Sequence, residues 1–156
     1  LRVVEFNARF GDPETQPLLT RLKSPLGELL YAAATGDLAG RSLEWGSGAA
    51  VGVVIAAAGY PDAPRKGDPI AGAELGGVFH AGTAQDPSGH LVTGVGTGDT
   101  LAEAREAAYA KVAQITLPGG FHRTDIAAAA ADAERKGDSP FSVQNAGSST
   151  GSGSDA

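Results

Sequence analysis

Residues 96–115, GTGDTLAEAREAAYAKVAQI, carry the strongest local signal in the chain. Thr100 followed three residues later by Glu103 forms a capping box, in which the two side chains satisfy each other's orphan backbone N–H groups. Leu101, Ala104, Ala108, Val112 and Ile115 then recur at helical spacing. The spacing predicts a helix with one apolar face, and that face needs a sheet or another helix to cover it. Working back from it, HLVT (90–93) reads as a short strand and DPSGH (86–90) as a hairpin-like turn. GGVFHAGTA holds a strand at about 78–82. AAVGVVIAAAGYP holds one of small β-branched residues at about 50–57, ended by Gly59-Tyr60-Pro61. Working forward, Asp125 is placed to cap a last helix at about 126–136, which Gly137 stops.

The amino-terminal part follows another pattern. RVVEFNAR alternates, with Val4, Phe6 and Ala8 on one face and Val3, Glu5, Asn7 and Arg9 on the other, as a strand with a polar front does. Gly11-Asp12-Pro13 ends it. Asp12 is placed to cap a helix with Pro13 at its first position, Glu14 favoured by the dipole, and Leu18, Leu19 and Leu22 as its stripe. A second helix follows, with Ser24 as cap, Pro25 in the first turn, Leu26, Leu29, Leu30 and Ala33 as its buried face, and Gly36 as stop. The short joint suggests a helical hairpin beside the first strand. The order of elements implies an α+β fold with a mixed or largely antiparallel sheet. We divide the chain at 1–48, 49–136 and 137–156. The last segment, rich in Ser, Gly and Asn, is expected to be disordered because it has too little apolar surface to offset its ordering entropy.

The 156 residues suffice for one domain or slightly more, and an apolar share of 42 % supports a core. With 23 glycines and only 6 % aromatics, that core must be built from small residues in close approach. A net charge of -6 argues against nucleic acid or an anionic membrane as partner, since both need a basic footprint. The chain has no Cys, so disulfides and thiolate metal sites are excluded, and a cytoplasmic location is expected. It has no Met and opens in mid-pattern, from which we expect a piece of a longer chain. No apolar run reaches the ~18–20 residues that span a bilayer.

Glu5 and Asn7 lie two apart on a strand, so their side chains share a face. A carboxylate and an amide are hard oxygen donors and make a half-site for Mg²⁺ with a nucleotide, because Mg²⁺ takes few protein ligands and fills its shell with water and phosphate. Arg9, next on that face, is placed to neutralise a phosphate. Alternating polar residues on a half-exposed strand are the simpler account of the same pattern.

The run from Glu5 to Gln16, EFNARFGDPETQ, resembles the last catalytic strand and following turn of ATP-grasp ligases. Within them it is most similar to the phosphoribosylamine–glycine ligases (glycinamide ribonucleotide synthetases), meeting every fixed position of their E-F-N-x-R-F-G-D-P-E-x-Q run. The resemblance continues through SPLGELLYAAATG, GVVIAAAGYPDAPRKGD, VFHAGTA, GTGDTLAEAREAAYAKV and FHRTDIA, over about residues 2–130. It implies the end of an ATP-grasp domain followed by the carboxy-terminal domain. It implies Glu5 and Asn7 as ligands of Mg²⁺ or Mn²⁺, with Arg9 beside the ATP phosphates. The implied reaction is ATP-dependent ligation of glycine to 5-phosphoribosylamine through glycyl phosphate in purine biosynthesis, by a cytoplasmic monomer.

Other residues carry two readings. Asp12 and Glu14 serve as helix cap and dipole compensation, or stand near glycine and the attacking amine. Gly11 relieves the backbone. Arg65 and Lys66 form a solvated basic loop, or meet the ribose phosphate. Trp45 and Tyr60 are packing or loop anchors. His80, His90 and His122 lack a short ligand spacing for zinc. LVTGVG departs from the family in being about half a dozen to ten residues short of its usual glycine-rich turn and strand near 93–95. The upstream lysines and phosphate-covering loop are missing too, so the segment is expected to be inactive alone. Two rivals stand: another ATP-grasp carboxylate–amine ligase, against which the RFGDPE turn argues, and a non-catalytic binding module derived from such a ligase.

Overall fold

A glycine-lined strand pressed against an alanine-faced helix forms the centre of the molecule. The computed structural model describes residues 3, 9–81, 83 and 91–138, so the strand expected at 2–9, the turn at 86–90 and the Ser/Gly tail lie wholly or mostly outside the described residues. The elements are α1 (Thr15–Arg21), α2 (Leu26–Thr35), β1 (Ala49–Ala56), β2 (Val78–Ala81), β3 (Leu91–Gly98), α3 (Leu101–Val112) and α4 (Ala128–Arg135). The strands form one antiparallel sheet in the order β1-β3-β2, with Val53 opposite Gly94 and Val51 opposite Gly96. The α+β expectation with an antiparallel sheet therefore holds.

The strand expected to end at Thr93 instead runs unbroken to Gly98. Its glycines do not mark a turn. Gly94, Gly96 and Gly98 sit under α3, where a β-carbon on Gly96 would lie 2.1 Å from the Ala108 nitrogen and one on Gly98 2.5 Å from the Glu103 Cβ. The backbones of β3 and α3 thus approach too closely for any side chain between them. Val51, Val53, Ile55 and Val92 on the sheet and Ala104, Ala108 and Val112 on the helix close the core around this contact.

The helix α3 starts as expected: Thr100 accepts from the Glu103 N–H while the Glu103 carboxylate accepts from the Thr100 N–H. The segment after it is tied back to the same helix. Arg105 donates to the Ile126 and Thr124 carbonyls, and Tyr109 donates through its hydroxyl to the Arg123 carbonyl. Glu134 of α4 accepts from the Leu101 N–H at the start of α3.

Three expected caps are corrected. Asp12 does not cap α1, which begins at Thr15; the Asp12 carboxylate instead accepts from the Gln16 amide at 2.6 Å. Ser24 does not cap α2, whose N-cap is Pro25; its hydroxyl accepts from the Glu44 N–H. Asp125 does not cap α4; it pairs with both Arg123 guanidinium branches, and the helix starts two residues later from Ala127 at φ 58°. In each case the side chain has a stronger or nearer partner than the orphan N–H groups. Gly36 does stop α2, with φ 75°, and Gly137 follows α4 with φ 76°.

The expected helical hairpin belongs beside the first strand, which lies mostly outside the described residues. Among the described residues α1 lies on the sheet, against β1 and β3, while α2 makes at most marginal contact with α1 or with the sheet. On α2 only Ala32 is buried; Leu26 and Leu29 are half-buried, and Leu30 and Ala33 are exposed. The loop after α2 returns to the α1–α2 joint, where Leu22 bridges Trp45 and Arg21 donates to the Gly46 carbonyl at 2.7 Å. Trp45 takes part in this joint through its backbone, and its side chain is exposed.

Candidate functional site

The sheet has a second face, away from α3, that carries Val54 of β1, Thr93 of β3 and Phe79 of β2 in register. Pro17 of α1 lies over part of it, 3.4 Å from where a β-carbon on Gly52 would stand. Beside this contact the Gly11-Asp12-Pro13 turn overhangs the sheet and leaves a cavity of about 250 Å³, lined by Asp12, Pro13, Val54, Tyr60, Ala81, Leu91 and Thr93. Its floor is apolar, and Asp12 brings an acid to it. The peptide bonds Asp12–Pro13 and Tyr60–Pro61, both at this cavity, are cis. A mostly apolar concavity with few polar groups is the usual form of a small-molecule site.

The described turn is internally braced. Thr15 donates from both its N–H and its hydroxyl to the Gly11 carbonyl. Gly11 is buried, and a β-carbon there would fall on the Glu14 carboxylate. The Glu14 side chain is exposed and can move aside, so this contact alone does not demand glycine. Gln16 fixes the Asp12 carboxylate. Arg9 is exposed and donates to the neighbouring Phe10 carbonyl at 3.3 Å. Glu5 and Asn7, the candidate metal pair, lie outside the described residues. Among the described residues no three His, Asp or Glu side chains cluster as a metal site.

The two basic-loop residues separate. Arg65 pairs with Asp68 and donates to the Pro118 carbonyl, so its guanidinium braces the loop against the segment after α3. Lys66 is exposed. Tyr60, expected as a packing or loop anchor, lines the cavity with Asp12. Thr93 was not singled out from the sequence, although it is only 1 % exposed and its hydroxyl has no hydrogen-bond partner among the described residues. A polar residue on the face of β3 opposite the glycines is the signal that would have found it. His80 contacts the Ala73 carbonyl at 3.2 Å, a structural use. A second cavity, of about 400 Å³, lies between α1 and the edge strand, bordered by Gln16, Leu19, Phe79 and His80.

The site is thus an acid-bearing cavity between the Gly11-Asp12-Pro13 turn and a small antiparallel sheet in an α+β fold. The family described as phosphoribosylglycinamide synthetase, C domain, matches residues 50–129, and the chain belongs to that family. It is 52 % identical to the phosphoribosylamine–glycine ligase of Mycobacterium tuberculosis H37Rv over 138 residues, covering 83 % of this chain and 33 % of that protein. It is 51 % identical to the ligase of Streptomyces coelicolor over 148 residues, covering 85 % of this chain and 36 % of that one. The crystal structure of the Thermotoga maritima phosphoribosylamine–glycine ligase superposes with a TM-score of 0.70 at 36 % identity, over 80 % of this chain and 33 % of that one. The chain spans about a third of the length of these relatives.

Proposed function

We propose that this chain is part of an enzyme that joins glycine to 5-phosphoribosylamine at the expense of ATP, giving glycinamide ribonucleotide, ADP and phosphate in purine biosynthesis. The observation that carries the proposal is the 52 % identity to a ligase named for that reaction, across 83 % of the chain and so beyond the C-domain match itself. The residue assignments below rest on the resemblance of Glu5–Gln16 to the family's catalytic turn, and the division near residue 48 on the family match beginning at residue 50. The reaction needs neither nucleic acid nor membrane; we read the enzyme as a cytoplasmic monomer. No helix of the described residues is long and apolar enough to cross a membrane.

Glycine's carboxylate is a poor electrophile. Transfer of the ATP γ-phosphoryl group to a carboxylate oxygen gives glycyl phosphate; the amine nitrogen of phosphoribosylamine then attacks the carbonyl carbon, the C–O bond to phosphate breaks, and the nitrogen loses a proton. Such chemistry asks the protein for alignment and charge placement rather than a nucleophile. The donor set of Glu5 and Asn7, a carboxylate and an amide, suits Mg²⁺ or Mn²⁺, and these residues would hold the ion. When bound, the ion would supply positive charge to neutralise the ATP phosphates. Arg9 faces the same phosphates. Asp12, fixed by Gln16 at the cavity, holds the ammonium or amine end of a substrate, and Glu14 adds negative charge on that side. Arg65 braces its loop, which leaves Lys66 to meet the ribose phosphate.

The test is glycine- and phosphoribosylamine-dependent ADP formation by the protein as its cells make it, against the Glu5→Ala and Asn7→Ala variants. We expect each variant to lose about a hundredfold or more in kcat with its fold intact. A whole protein that forms no ADP with these substrates, or variants as active as the parent, would sink the proposal. The 156-residue chain alone is expected to be inactive.

A further inference from the structure

Thr93 sits on the central strand of the sheet, only 1 % exposed, and its hydroxyl has no hydrogen-bond partner among the described residues. Burying an unpaired hydroxyl is costly, and valine has nearly the same shape without that cost. The strand itself asks for nothing polar here. The neighbours of Thr93 in β3 are Val92 and Gly94, and the residues opposite it are Val54 of β1 and Phe79 of β2. The Thr93 methyl group stands 3.4 Å from where a β-carbon on Gly52 would be, so the methyl is a branch that packs. The hydroxyl has no such use inside the fold. Thr93 also lines the cavity of about 250 Å³ that holds Asp12 and Tyr60. A buried polar group without a partner in the fold, at the wall of a cavity, finds its partner in what fills the cavity.

We infer that Thr93 is a specificity-determining residue, whose hydroxyl bonds a hydroxyl or the amine of an amino-pentose ring seated in this cavity. The inference deepens the proposed function and rests on it, because it assigns the cavity to one of the three substrates. The chemistry of the lining makes the choice. Its polar side chains are one carboxylate and two hydroxyls, from Asp12, Tyr60 and Thr93, and none of its lining side chains among the described residues is cationic. The phosphates of ATP and the carboxylate of glycine would there face Asp12 without a counter-charge. An amine with several neutral hydroxyls suits the same groups, since a carboxylate accepts and hydroxyls both donate and accept. Val54, Ala81 and Leu91 add apolar walls for the C–H faces of a ring. The volume is about that of eight waters in the liquid, room for a pentose ring rather than for glycine alone.

The variants Thr93→Val and Thr93→Ser, made in the protein as its cells make it, separate this role from a structural one. In steady-state ADP formation Thr93→Val should raise the KM for phosphoribosylamine about tenfold, the worth of one hydrogen bond. The KM values for glycine and ATP should stay within about twofold of the parent, and Thr93→Ser should recover most of the loss. In the 156-residue chain Thr93→Val should melt at or above the parent temperature, because it removes an unpaired buried hydroxyl. An unchanged KM for phosphoribosylamine overturns the inference, and so does a rise shared with glycine. A fall of about 4 °C or more in the melting temperature of Thr93→Val also overturns it, since the hydroxyl then has its partner within the chain. Methyl NMR of the whole protein tests the contact apart from the reaction. Ribose 5-phosphate should shift the Val54 methyl signals and glycine should not, and Thr93→Val should weaken that titration about tenfold. No shift with ribose 5-phosphate, or an equal titration in the variant, overturns the inference. A titration that behaves as expected in a protein that forms no ADP leaves the inference standing and removes only the proposed ligation.

Discussion

The two halves of the described chain use small residues in opposite ways. Between β3 and α3, glycine faces alanine so closely that a β-carbon on Gly96 has no room, and the small residues are the packing itself. In α2, Gly27 meets nothing within 4 Å, and the alanines after Tyr31 are exposed apart from Ala32. The first unit is closed by its own contacts, down to the loop that Arg105 and Tyr109 clamp onto α3. The second has the composition of an interior helix without an interior. Composition alone does not distinguish them; what covers each one does.

The sharpest way to break this contrast is to put side chains where the two halves differ. Gly96→Val should cost about 3 kcal/mol or more, because the added atoms overlap α3 backbone rather than a movable side chain. Urea denaturation would read this as a large drop in midpoint or as loss of a cooperative transition. Gly27→Ala should instead stabilise the chain by about 0.5–1 kcal/mol, since α2 gains helix propensity without a clash. A next, smaller comparison deletes apolar volume. Val53→Ala, at a fully buried position, should cost about 2 kcal/mol, and Leu30→Ala less than about 0.5 kcal/mol in the isolated chain.

The caps sharpen the contrast further. Thr100→Ala removes one half of an intact capping box and should cost about 1 kcal/mol. Ser24→Ala removes no cap, so its cost should stay below that of Thr100→Ala and appear as faster amide exchange at Glu44 rather than along α2.

These differences also mark what the sequence could reveal. The capping box of α3 and the glycine stops of α2 and α4 are local devices whose partners lie within a turn, so their residue pattern is sufficient. The length of β3 is not local. GVGTG has poor strand propensity and resembles a lead-in to a cap, and only the approach of α3 explains why glycine must alternate there. Asp12, Ser24 and Asp125 all look like caps, but Gln16, Glu44 and Arg123 engage them first. At the candidate site, Asp12 was visible from its motif. Tyr60 and Thr93 become its neighbours only once the turn after β1 and the strand β3 are folded beside it.

The smallest expected effect is electrostatic. Hydrogen bonding to Arg123 holds the Asp125 carboxyl below the ordinary aspartate range, and the same pair raises Arg123. A depressed carboxyl contributes stability above its unfolded pKa that is lost as the pH falls through the lower folded value, so the effect belongs below about pH 4. Both groups are exposed, so it should be slight and weaken with salt. NMR titration of Asp125 in the parent and in Arg123→Gln checks it: the variant's carboxyl should titrate higher.

The most direct test of the whole account is amide hydrogen exchange on the 156-residue chain. We expect β1, β3 and α3 to be protected as one cooperative unit, and the amides of α2 to exchange far faster. Protection of α2 equal to that of α3 would contradict the account, because α2 buries only Ala32 and α3 packs its alanine face on the sheet.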